Sequence, residues 1–324
     1  MKHFVYSILS ETDEEKVMEF ILSQPFHSWF HVPAWQKSLK NSFNYHLFYN
    51  NEQTELLSVC TVQIDYGIRA RTEFGPICKC EQDNELVLEF LKSYYKKHNY
   101  WYFSLLPSIY FSETKNSKRE IGSWSTILID LTHAYKQDYS RQLLRKLKAA
   151  SKINLQINEL ELNDLPNFVA GYTKMYQKRG LAIDLDSCKN RLNDRFLFYK
   201  KYRLGAFYGV FYDNTLIGGM MISKHQQYAF YELGFTDSNF RHIPVLYSGF
   251  DKLLELLKNE NYTIFDYGGY DENAQPQSQT FGINRFKLQF SQNIISYPSK
   301  QTYIFKPFLF KILQKSLSIF NKSV

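Results

Sequence analysis

Phe265-Asp266-Tyr267-Gly268-Gly269 and, about a dozen residues later, Gly282-Ile283-Asn284-Arg285-Phe286-Lys287-Leu288-Gln289-Phe290 are the stretches on which the reading of this chain turns. The first reads as a strand that stops at an acid and two glycines. Glycine has no Cβ, so such a strand end can bring its backbone against a ligand. The second alternates strictly and reads as another strand. Asn284, Phe286, Leu288 and Phe290 would lie on one side, with Arg285, Lys287 and Gln289 on the other. Facing a cleft, that polar side sets two cations beside the Asp-Gly-Gly turn. Facing water, it is only the solvated side of an edge strand.

Outward from these stretches the chain repeats itself. Phe48-Tyr49-Asn50-Asn51 recurs as Phe211-Tyr212-Asp213-Asn214, each a strand entering a turn, followed by a second strand at Leu56–Ile64 and at Leu216–Ser223. An amphipathic helix at Leu86–Lys97 precedes Asn99-Tyr100 and a strand at Trp101–Phe103. Its counterpart at Leu246–Lys258 precedes Asn261-Tyr262 and a strand at Thr263–Phe265. Two matches in one order at nearly the same offset indicate a tandem duplication. The expected fold is therefore α/β with mixed sheets, in two related domains, 1–135 and 136–302. The copies differ after the last strand: the first runs on into Leu105-Leu106-Pro107-Ser108, whereas the second has the Asp-Gly-Gly turn.

Composition agrees with two ordinary globular domains. The 324 residues are many for one core, and 44% are apolar and 22% charged. With 25 Tyr and 27 Phe, an aromatic residue by itself says little about function. Met1–Ser10 is too short an apolar start for a signal sequence, since Glu11, Asp13, Glu14 and Glu15 follow at once. No run reaches the roughly 18 to 20 apolar residues of a membrane span. Cys60, Cys78, Cys80 and Cys188 form no framework, as suits a reducing, cytoplasmic setting. His27 and His31 have the spacing of two metal ligands on a helix but no third ligand near them in sequence, so no metal is expected.

The net charge of +7 permits phosphate-rich partners. Its placement is more telling. A helix from Ser140 to about Lys152 carries Arg141, Arg145, Lys148 and Lys152 on one face, with Leu143, Leu144, Leu147 and Ala150 opposite. That face is either solvated or a seat for phosphates. The next helix, about Leu165 to Arg179, is capped by Asn163 or Asp164, has Pro166 in its first turn, and ends before Gly180. The tail, Pro307–Lys322, is an amphipathic helix suited to an anionic membrane surface, including peripheral contact at the inner face of the membrane, or to packing back on the body.

Together these segments resemble the FemABX family of non-ribosomal peptidyltransferases that build peptidoglycan cross-bridges. The residues that carry the likeness are Phe30–Trp35, Gly75-Pro76, Leu144–Lys152, Asp266–Gly269 and Gly282–Phe290. The resemblance implies two GNAT-like acyltransferase domains in tandem, with the C-terminal helix (303–324) returning to the first. It implies an aminoacyl-tRNA donor, an amine acceptor on a nucleotide- or lipid-linked peptidoglycan or other envelope precursor, and no further cofactor. It places Lys287 of the Phe286-Lys287 pair at the reacting centre. The chemistry of the transfer then makes Arg285, Phe286, Gly268, Gly269 and Tyr231 candidate substrate contacts, with Asp266 either a proton acceptor or an acid that orders the turn. Trp35 falls among the substrate-binding residues. The family's phosphate-binding lysine after that Trp is here Leu39, flanked by Lys37 and Lys40. The helical-hairpin arm of some members has no room between Arg191 and Leu204.

GNAT ancestry also offers a rival, acyl transfer from coenzyme A to an amino sugar or amino acid. Ordinary members hold the pyrophosphate on glycine-rich backbone at a helix N-terminus. The corresponding stretch, Ser238–Ser248, has no glycine, which disfavours coenzyme A. A third reading is a degenerate member that binds precursors or a partner without turnover.

Overall fold

A computed structural model describes residues 1–24, 29–37, 41–106, 125–180, 184–296 and 300–320. The chain divides into two compact units, Met1–Ser123 with Ser296–Val324, and Trp124–Ile295.

The first unit contains β1 (Lys2–Tyr6), α1 (Glu11–Ser23), α2 (Pro33–Lys37), β2 (Ser42–Tyr49), β3 (Leu56–Asp65), β4 (Arg69–Glu73), β5 (Ile77–Cys78), α3 (Asp83–Lys97) and β6 (Tyr102–Leu106). The second contains β7 (Ser125–Asp130), α4 (Arg141–Ala150), β8 (Leu155–Glu159), α5 (Leu165–Lys178), α6 (Leu185–Tyr202), β9 (Gly205–Tyr212), β10 (Thr215–His225), β11 (Tyr228–Thr236), α7 (Val245–Asn259), β12 (Ile264–Tyr270), α8 (Gln279–Lys287) and β13 (Ile294–Ser296). β14 (Gln301–Ile304) and α9 (Pro307–Phe320) close the chain in the first unit.

The duplication is visible in the topology. The first sheet runs β1-β2-β3-β4-β6-β14, with β5 on β3, and the second runs β8-β9-β10-β11-β12-β7-β13. Strand senses match one for one: β4 and β6 are parallel, as are β11 and β12, and their neighbours are antiparallel. In both sheets the parallel pair is joined through a helix, α3 or α7, as a parallel pair requires. Val87, Leu88, Leu91 and Tyr95 of α3 pack on Phe103 and Leu105. Phe250, Leu253, Leu254 and Leu257 of α7 pack on Phe265 and Tyr267.

The domain boundary expected near residue 135 is corrected by the strand that follows each copy. β7 comes after the first copy but pairs with β12, Phe265 opposite Ile129. β14 comes after the second copy but pairs with β6, Tyr303 opposite Phe103. Each sheet is completed by the strand that trails the other copy, so the junction lies before Ser125. α9 joins the first unit through Phe310, whose ring meets Tyr102 edge-on at 4.9 Å. Residues 191–202 lie inside α6. No helix among the described residues is long and apolar enough to cross a membrane.

Three local expectations fail. Gly282–Phe290 is not a strand: α8 spans Gln279–Lys287, capped by Ser278, whose hydroxyl accepts from Phe281 N at 3.2 Å. The basic helix stops at Ala150, leaving Lys152 in the turn beyond. Leu144, expected inside, is exposed, while Leu143 and Ala150 are buried.

Candidate active site in the second unit

The two copies differ at their parallel strand pair. β4 and β6 stay paired from Arg69–Tyr102 to Glu73–Leu106. β11 and β12 pair only at Tyr228–Ile264, Ala229–Phe265 and Phe230–Asp266, and then part. Both strands are bulged where they separate. Glu232 is the extra residue of β11 against β10, and β12 gains one residue against β7 between Asp266 and Gly269. The gap opens beyond the carboxyl ends of the paired segments, where open α/β sheets receive ligands.

Asp266 lies on the last paired rung and is fully buried. Its carboxylate accepts from Gly268 N at 2.6 Å and from the hydroxyls of Thr126 and Tyr228. A carboxylate so occupied orders the turn. Gly268 is there because its φ is +68°, and a Cβ would stand 3.0 Å from Tyr231 O. Gly268→Ala is expected to lower stability by about 2 kcal/mol in denaturant titration, since it adds left-handed strain to a backbone clash.

Lys287 reaches the same turn from α8. It is 5% exposed, and its Nζ donates to Gly268 O at 3.0 Å and Gly269 O at 2.7 Å. Burial lowers its pKa to about 8, against the opposing pull of the Asp266 carboxylate. At neutral pH it is therefore still an ammonium, with two of its three N–H groups committed to carbonyls. One turn earlier on the same helix face, buried Asn284 donates to Asp271 O at 2.7 Å and accepts from Asp271 N at 3.3 Å. Asn284 and Lys287 thus lash α8 to the end of β12. Asn284 went unnoticed in the sequence because the strand reading put it with the apolar residues.

Arg285 does not join Lys287. Two residues apart on a helix they diverge, and Arg285 is exposed. Phe286 is half-buried, its ring 4.7 Å from Tyr247. Tyr231 stands on the bulge, its ring edge-on to Phe250 at 4.9 Å, and burial holds its phenol protonated well above the usual range. The bulge is pinned by the Glu232 carboxylate, which accepts from Arg195 NH1 at 3.1 Å and from the Tyr199 hydroxyl.

Beside this gap, at the start of α7, is a cavity of about 460 Å³ lined by Lys146, Arg241, Pro244, Tyr247 and Phe286 among others. Lys146 lies over the Tyr247 ring at 3.6 Å. Four amides of the preceding loop are used internally, Asn239 N bonding Asp237 Oδ1, Phe240 N bonding Asp237 O, Ile243 N bonding Phe240 O and Val245 N bonding Ile243 O, while Leu246 N and Tyr247 N in the first turn of α7 bond no protein acceptor among the described residues. Pro244 has no amide. Arg141, Arg145, Lys148 and Lys152 are all exposed, and among the described residues none of them is ion-paired.

In the first unit Lys37 is paired with Glu14 at 2.5 Å, and α2 carries Trp35. Lys40, Leu39 and His27 lie outside the described residues. His31 is buried and accepts from Thr61 N at 3.1 Å, a structural use of the ring.

No family model matches the chain, and no curated protein matches it by sequence. Solved structures do. FemX superposes with a TM-score of 0.77 over 96% of this chain and 99% of its own, at 11% identity. The chain has the FemX fold. L-PGS from Bacillus licheniformis matches at 0.61 over 93% of this chain and 96% of its own, at 11% identity. A tandem GNAT protein from the clavulanic acid biosynthesis pathway matches at 0.54 over 94% and 99%, at 10% identity. The tandem GNAT-like architecture that the family resemblance implied is thus the observed one.

Proposed function

We propose that the chain is an acyltransferase that moves an aminoacyl group from aminoacyl-tRNA to an amine of a peptidoglycan or other cell-envelope precursor. The observation that carries this reading is the Lys287 ammonium, held by Gly268 O and Gly269 O where β11 and β12 part. A neutral acceptor amine attacks the ester carbonyl carbon and a C–N bond forms. The ester C–O bond then breaks, and the ribose hydroxyl leaves with the proton the amine gives up. The carbonyl oxygen becomes an oxyanion on the way, and the third N–H of Lys287 is a donor suited to it. Asp266 serves as a positioning residue, since its oxygens already accept from three donors.

Two features favour an RNA-borne donor over coenzyme A. The loop before α7 has no glycine between Ser238 and Ser248 to let a pyrophosphate approach its backbone closely, and four of its amides are bonded internally. The exposed cations of α4 and the turn after it suit a phosphate backbone. Tyr231, Gly268 and Gly269 line the parting strands and are the expected substrate contacts, whereas exposed Arg285 is left to the periphery.

The test supplies purified protein with labelled aminoacyl-tRNA or labelled acyl-CoA and a panel of amine acceptors. Transfer from aminoacyl-tRNA that ribonuclease abolishes is expected. Ribonuclease-resistant transfer from acyl-CoA would replace this reading with the coenzyme A one, and transfer from neither donor would favour a binding protein. The pair Arg145→Glu and Lys148→Glu is expected to raise KM for the tRNA with kcat kept, and to make the salt slope of log(kcat/KM) shallower by roughly 1.5.

A further inference from the structure

The excess positive charge is not spread along the chain. Residues 1–272 contain all 32 acidic residues and 32 of the 39 basic ones, so they balance. The remainder has no acid and carries seven cations, five of them lysines between Lys300 and Lys322. Among the described residues that segment holds β14 and α9, in the first unit.

α9 spends one apolar face within its unit, through Phe310 against Tyr102. It also shows apolar residues to solvent. Phe308 is 75% exposed and Ile312 50%, one turn apart, and Ile304 just before the helix is 43% exposed. Exposed Lys311 lies beside them. Large apolar side chains this exposed, on a segment with only positive charge, narrow the choice of partner. Nucleic acid would neutralise the lysines and leave Phe308 and Ile312 in water. A lipid surface of negative charge takes both, with apolar side chains below the phosphates and ammonium groups among them.

We propose that α9 lays the Phe308–Lys311–Ile312 face on an anionic lipid surface. This stands apart from the reaction assigned above, because it concerns another unit and other residues. The test is sedimentation of the full chain with phosphatidylcholine vesicles and with vesicles in which about one lipid in three is phosphatidylglycerol. Binding at least about tenfold tighter to the anionic vesicles is expected, weakening in about 0.5 M salt. The double variant Phe308→Ser with Ile312→Ser, and separately Lys311→Glu, should each weaken it about tenfold, with circular dichroism and melting unchanged. Equal binding to both vesicles would overturn the proposal. So would binding to neither, or variants that bind as tightly as the unaltered protein.

Discussion

Lys287→Met is expected to fold and to lose about 10²- to 10³-fold in kcat, the usual effect of removing one preorganised donor to an oxyanion. Its stability should reveal the same lysine from another side. Folding buries an ammonium whose pKa falls from 10.5 to about 8. Below pH 8 both the folded and the unfolded chain hold the proton, so the whole burial cost is present, roughly 3 kcal/mol for that shift. Between pH 8 and 10.5 the folded protein releases its proton first, and the cost is relieved as pH rises. At pH 7 the methionine variant gains this relief but strands two buried carbonyls, at about 1 to 3 kcal/mol, so it should melt close to the unaltered protein. As pH climbs from 8 to 10.5, the unaltered protein should gain on the variant by roughly 3 kcal/mol. Denaturant titrations of both proteins across that range measure it. A gap that does not change with pH would mean that Lys287 is not buried as a cation.

Asp266→Asn should act on the site through Lys287. The amide is close in shape, and its oxygen can still accept from Thr126 and Gly268 N. The Tyr228 hydroxyl must turn to accept where it now donates. Losing charge-assisted bonds in a fully buried place costs about 2 kcal/mol in denaturant titration. The carboxylate also opposes the fall in the Lys287 pKa. Without it that pKa drops further, and activity resting on the ammonium should fade at lower pH than in the unaltered enzyme. A merely structural Asp266 would lower stability and leave the pH profile where it was.

Much of the fold was legible because duplication is a property of sequence order. The turns at Asn50 and Asp213, and the helices before Asn99 and Asn261, recur in register and mark equivalent strands of the two sheets. The exchange of β7 and β14 was not legible. An apolar strand shows that it is buried, but not which sheet buries it. The helix at α8 was misread because Phe286 and Phe290 satisfy a two-residue and a four-residue spacing alike. Ser278, three residues before Phe281, was the available signal for a helix start. Asp266, Gly268 and Lys287 were singled out in sequence, and the structure does bring them to one turn. That Lys287 is buried and Arg285 exposed follows from the helical geometry, whereas a strand reading sets both on one side.

The role proposed for Lys287 is to serve acyl transfer as a cation at the parting of β11 and β12. Its most direct test is the pH dependence of single-turnover transfer from aminoacyl-tRNA at saturating acceptor. The rate is expected to fall on an alkaline limb near pH 8, the limb moving down in Asp266→Asn and disappearing in Lys287→Met, whose residual rate is already low. A rate that keeps rising through pH 9 in the unaltered enzyme, or a Lys287→Met variant with the full rate, would contradict it.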